Sequence, residues 1–111
     1  MDFENKLMNM IPRQFNSFPK LRQPNVNDYY FDRWDVKENK TILRYWFWNQ
    51  KKTSENKKYI IIEEIKRLYD YLKRNNKCLD RTIWKQYDSK NKGAPCNFAV
   101  ITHIFKKLET N

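Results

Sequence analysis

The residues best suited to chemistry in this chain lie near its C-terminal end. Asn97, Thr102, His103 and Lys106 fall on the polar side of a segment whose apolar residues, Val100, Ile101, Ile104, Phe105 and Leu108, recur at helical spacing. These are residue types that read nucleic-acid bases. Asn can pair bidentately with adenine, and Lys can reach the acceptor edge of guanine. Lys85, Lys90, Lys92 and Lys107, joined by Arg81, stand where they could hold phosphates, which position a protein without reading sequence. Asn97 is also placed to cap that helix, with Cys96 and Ile101 at the spacing of a hydrophobic staple. One side chain cannot cap a helix and read a base at the same time.

Other chemistries find little support. Gly93 is the only glycine, so a glycine-rich phosphate loop is excluded. No Gly-x-Ser-x-Gly elbow and no second histidine is present. Asp28, Asp32, Asp35 and Glu38 could hold a divalent cation, but they sit in an aromatic stretch that lacks the strand-borne order of a nuclease site. Glu63 and Glu64 open a helical pattern, where carboxylates complement the helix dipole. Cys78, Cys96 and His103 lack the paired spacing of a structural zinc site. The expectation is therefore a protein that is not an enzyme and needs no cofactor or metal.

Composition narrows the partner class. The 111 residues include 23 Lys and Arg against 13 Asp and Glu, a formal net charge of +10. The excess is uneven: residues 1–50 hold 8 basic and 6 acidic side chains, residues 51–77 hold 9 and 4, and residues 78–111 hold 6 and 3. Such a balance attracts polyanions. The competing explanation is a lysine-rich solvated surface. An aromatic content of 16% argues against disorder. No apolar run is long enough for a membrane span and the first residues carry no signal-peptide pattern, so a cytoplasmic protein with two reduced cysteines is expected.

These residues need elements to hold them. Thr41 to Asn49 is rich in β-branched and aromatic residues, with Ile42, Arg44, Trp46 and Trp48 on one face and Leu43, Tyr45 and Phe47 on the other. A polar turn then leads to Lys57–Ile61, which predicts a β-hairpin. Ile61, Ile65, Leu68 and Leu72 predict the helix that covers it, stopping at Asn75-Asn76. Asp80 predicts the N-cap of a short helix through Tyr87, with Leu79 and Trp84 as staple. Residues 1–40 hold Pro12, Pro19 and Pro24 and predict an irregular aromatic arm packed on a single domain over 41–111. With one glycine, turns that need positive φ must fall on Asn, Asp or Gly93.

A long helix followed by two shorter ones around a loop resembles, in arrangement, a helix-turn-helix over roughly residues 58–108. The long loop suits the winged-helix variants, yet the chain leaves no room for a C-terminal wing. The expected fold class is thus α+β, a small β-hairpin followed by three helices, winged-helix-like without that wing. The resemblance implies non-catalytic nucleic-acid binding, with duplex DNA favoured, through the last helix and the basic loop. The alternative is a protein-interaction module, an inhibitor or adaptor. Its surface would be an exposed aromatic patch of Phe15, Phe18, Tyr29, Tyr30, Phe31 and Trp34. Strand aromatics flanked by Arg44, Lys51 and Lys52 could also stack bases, although a domain this small has need of them inside.

Overall fold

Two antiparallel hairpins share one central strand. The computed structural model describes residues 2–14, 17–18, 29–48, 51 and 53–110. Elements run α1 (Phe3–Gln14), β1 (Ser17–Phe18), β2 (Tyr29–Lys37), β3 (Lys40–Trp48), β4 (Glu55–Ile61), α2 (Ile62–Asn75), α3 (Arg81–Tyr87) and α4 (Pro95–Thr110). The sheet order is β1-β2-β3-β4, all neighbours antiparallel. The fold is α+β as expected, but a helix precedes the sheet and the sheet is more than one hairpin.

The β3–β4 hairpin forms where the alternation placed it, with Leu43 opposite Ile60 and Tyr45 opposite Lys58. The β2–β3 hairpin was not foreseen. Its two-residue turn is Glu38-Asn39, with φ of 53° and 64°, and Lys37 pairs Lys40 across it. Two positive φ values in a row are the mark of a type I′ hairpin turn. Glycine usually supplies them; here glutamate and asparagine do, which hides the turn from a search for Gly.

The arm expected over 1–40 is regular wherever it is described. Asp2 accepts a hydrogen bond from the Asn5 amide at 2.8 Å and starts α1. Leu7, Met10 and Ile11 are buried in the main core, and Phe3 lies 5.3 Å from the Tyr69 ring. The helix continues through Pro12 to Gln14, although proline has no N–H to offer the Met8 carbonyl.

Helix α2 keeps the predicted stripe, with Ile62, Ile65, Leu68 and Leu72 buried. It stops at Asn76, whose φ of 50° and ψ of 48° are left-handed, and the Lys77 amide returns to the Leu72 carbonyl at 3.0 Å. Asp80 caps α3 as predicted, accepting from the Thr82 amide at 2.6 Å and the Ile83 amide at 3.3 Å. Trp84 from α3 is wholly buried.

Helix α4 departs from expectation. It begins at Pro95, two residues before Asn97, with the Ala94 carbonyl accepting from the Phe98 amide. Proline suits the first helical position, since its fixed φ is helical and its missing N–H would be unpaired there anyway. Asn97 is therefore inside the first turn and does not cap the helix. The expected stripe of Val100, Ile101, Ile104, Phe105 and Leu108 is buried, and Ala99 joins it.

Candidate nucleic-acid interface

Helix α4 and its preceding loop carry seven of the nine residues singled out for binding, and the fold scatters them. Asn97 is 0% exposed. Its Oδ1 accepts the Tyr45 hydroxyl in a short hydrogen bond, and its Nδ2 donates to Asp88 Oδ2 at 3.3 Å. The expectation that Asn97 reads a base is thus corrected: its polar atoms are used inside the core. Thr102 turns its hydroxyl back to the Phe98 carbonyl at 2.7 Å. His103 is half-buried; that burial, with Lys106 and Lys107 nearby, holds its imidazole below its usual pKa. Lys106 is exposed and Lys107 half-buried.

The loop between α3 and α4 is built around Asp88. This buried carboxylate accepts from the Asn91 amide at 3.2 Å and from the Gly93 amide at 2.9 Å, besides Asn97. Ser89 donates to Glu64 at the start of α2, and the Asn91 side chain donates to the Tyr59 carbonyl at 3.3 Å. Burial, and next the neighbouring Cys96, push the Tyr45 hydroxyl well above its ordinary pKa, so it stays a donor to Asn97. The same causes push Tyr29 up to about 12.

That loop gathers one basic group. Arg81 Nε donates to the Gly93 carbonyl at 3.0 Å, and Gly93 packs directly on Lys85. Lys92, with φ of 48°, is the residue beside Gly93. Arg81, Lys85 and Lys92 are exposed there. Lys90 is drawn away to the Glu38 carboxylate, 3.9 Å distant at the tip of the β2–β3 hairpin.

The sheet supplies a second surface. Helices cover the face of Leu43, Tyr45 and Ile60, which belong to the main core. On the opposite face Tyr30 stacks on Trp46 with centroids 4.6 Å apart, and Trp46 meets Trp48 edge to face at 5.4 Å. A β-bulge between Phe31 and Arg33 resets the alternation of β2. It brings Arg33, Asp35 and Lys37 onto the same face as Tyr30. Arg44 Nε donates to Asp35 Oδ2 at 2.7 Å, and this hydrogen bond holds the Asp35 carboxyl below its usual pKa. The Lys37 ammonium lies 4.8 Å and the Arg44 guanidinium 5.8 Å from the Tyr59 ring centroid. Lys37 reaches from β2 to β4, so its stem crosses β3. Ile42 and Ile61 lie on this face, buried yet outside the main core cluster.

The alternation of β3 was legible in the sequence; which face the helices cover was not. The bulge that brings Arg33 beside Arg44 has no sequence signal beyond the polar pair Asp32-Arg33. The described side chains of the aromatic patch in the alternative reading separate: Tyr29 is buried, Phe31 and Trp34 pack against the core, and Tyr30 joins the outer face. The side chains of Phe15 and Phe18 lie outside the described residues, as do Asp28 and Lys52.

Among the described residues no group of three or more His, Cys, Asp or Glu could hold a metal ion, and no helix is long and apolar enough to cross a membrane. No protein-family model, curated protein or solved structure matches the chain.

Proposed function

We propose that the protein binds nucleic acid without catalysis and that it takes single strands on the outer face of its sheet. The observation that carries this reading is the row Tyr30–Trp46–Trp48, set beside Arg33, Arg44 and Lys37 on the face away from the helices. Half-exposed rings offer π-faces and edges to unpaired bases, and neighbouring cations hold the phosphates. A net charge of +10 draws such a ligand to the surface.

The structure weakens the duplex-DNA mode that the α2–α3–α4 arrangement suggests. A recognition helix needs its N-terminal half against base edges, whereas here Asn97, Ala99, Val100 and Ile101 are core residues. Arg81, Lys85 and Lys92 remain as a phosphate-binding group beside the loop, and they favour an added contact to backbone over base reading.

The test is fluorescence anisotropy of labelled single-stranded RNA, single-stranded DNA and duplex DNA at two salt concentrations. Single strands should bind more tightly than duplex. Trp46→Ala with Trp48→Ala should weaken them by about tenfold or more, since each stacked base contributes roughly 1–3 kcal/mol. Arg81→Gln, Lys85→Gln and Lys92→Gln together should flatten the salt dependence while leaving the preference for single strands. Duplex binding that survives the tryptophan changes and is lost with the lysines would refute the sheet-face mode.

A further inference from the structure

Helices α2 and α4 leave an open trough between their C-terminal halves. Tyr69, Leu72 and Lys73 face it from α2 at i, i+3 and i+4, and Asn76, the left-handed residue that ends the helix, closes that wall. Thr102, Phe105, Lys106 and Glu109 face it from α4 at i, i+3, i+4 and i+7. Tyr69 and Phe105 meet edge to face at 5.5 Å and join the two walls. The cavity measures about 380 Å³, with Leu79 and Cys78 at one end.

The floor of the trough is apolar and its rim is cationic. Leu72 and Phe105 form the floor. Lys73, Lys77 and Lys106 are exposed around it, against Glu109 as the sole acid among the described lining residues. Lys73 rests 5.4 Å over the Tyr69 ring, and Lys77 donates to the Tyr71 hydroxyl at 3.3 Å. The Lys73 contact lies at the rim, whereas the Tyr71 hydroxyl that takes Lys77 is outside the lining; both are weak, exposed contacts that a stronger anionic partner can replace.

We infer that this trough docks an acidic amphipathic helix of a partner protein. An i, i+3, i+4 stripe on α2 facing an i, i+3, i+4, i+7 stripe on α4 makes the two sides of a seam into which a third helix packs. The α4 wall spans about 10 Å, roughly two turns, and the helical part of the α2 wall about one turn. The occupant presents an apolar stripe to Leu72 and Phe105, with Glu or Asp on either side facing Lys73, Lys77 and Lys106. The excess of lysines over the single carboxylate selects acidic flanks over basic ones. This surface is separate from the outer face of the sheet and does not rest on the nucleic-acid reading.

The test uses the full chain and a fluorescein-labelled helical peptide of about 15 residues, with Leu at i, i+3, i+4 and i+7 and Glu beside them. A scrambled peptide of equal composition controls for the net charge of the protein. The patterned peptide should bind saturably, at least about tenfold more tightly than the scrambled one. It should slow iodoacetamide modification of Cys78, which lies in the trough, and not of Cys96, as mapped by mass spectrometry. Lys73→Glu with Lys106→Glu, both at exposed positions, should leave the circular dichroism unchanged and remove at least about tenfold of the affinity. Equal binding of the two peptides, binding without protection of Cys78, or full affinity in the charge-reversed variant would overturn the proposal. Protection of Cys78 by dodecanoate and not by the peptide would overturn it too, by assigning the trough to a small amphipathic anion.

Discussion

Replacing Asn97 with alanine separates the core role that the structure gives this residue from the base-reading role its position in the sequence suggested. In the folded protein Asn97 joins Tyr45 to Asp88 and has no exposed surface. The substitution strands the Tyr45 hydroxyl beside Cys96, and a thiol is a poor substitute acceptor. An unpaired buried hydroxyl costs about 1–3 kcal/mol. Asp88 loses one donor but keeps the Gly93 and Asn91 amides; the lost bond is long, at 3.3 Å, so it contributes towards the low end, about 1 kcal/mol. The sum is about 3 kcal/mol, a large part of the ~5–15 kcal/mol that holds a domain together. Tyr45→Phe removes the hydroxyl and should cost about 1–2 kcal/mol. The double variant should fall short of the two costs added by about 1 kcal/mol, because both remove the same bond. Urea unfolding followed by tryptophan fluorescence measures all three, with wholly buried Trp84 as a reporter. A cost below about 0.5 kcal/mol for Asn97→Ala, typical of a surface site, would refute the buried network and return Asn97 to the surface as a candidate base reader.

Two further outcomes follow from single residues. Gly93 has φ of +79°, and a Cβ there would lie 2.8 Å from the Lys85 Cβ and 3.0 Å from its Cα. Gly93→Ala should therefore cost about 1–3 kcal/mol from backbone strain alone, with the overlap against α3 in addition; an unchanged thermal midpoint would show that the loop does not pack as described. His103 titrates below its usual pKa when folded, from burial first and then from Lys106 and Lys107. The unfolded chain takes up that proton at higher pH, so the contribution of His103 is present above about pH 6.5 and is lost as pH falls through the folded pKa. The urea midpoint should drop less between pH 7.5 and 5.5 in His103→Gln than in the wild type, and equal drops would refute the assignment.

The elements that could be read directly from the chain are those whose signals are local. Helix α2 shows a clean 3.6-residue stripe with acids first and bases last, and its stop falls on an asparagine able to take positive φ. Asp80 announces α3 by cap chemistry alone. The β3–β4 hairpin follows from alternation. Helix α1 was obscured by Pro12, which signals a helix stop, yet the helix runs two residues past it. Strand β2 was obscured because its turn uses Glu38 and Asn39 and because a bulge interrupts its period. Helix α4 misled most: Asn97 looked like a cap, but Pro95 starts the helix, and the shift of two residues turns a surface position into a core one.

What the sequence determined by itself, then, was the α+β class, the β3–β4 hairpin, the succession of three C-terminal helices and a strong excess of positive charge. Each depends on neighbours within a turn or a pleat, or on composition. Tertiary structure decided everything that depends on who covers whom. It took Asn97 into the core, because Tyr45, 52 residues earlier in the chain, meets it there. It put Tyr45 on the face of the sheet that the described helices cover and Trp46 on the other, where it stays half-exposed. It drew Lys73 and Lys106 to the two sides of one trough. Burial is a property of pairs of distant segments, and no window along the chain contains both members.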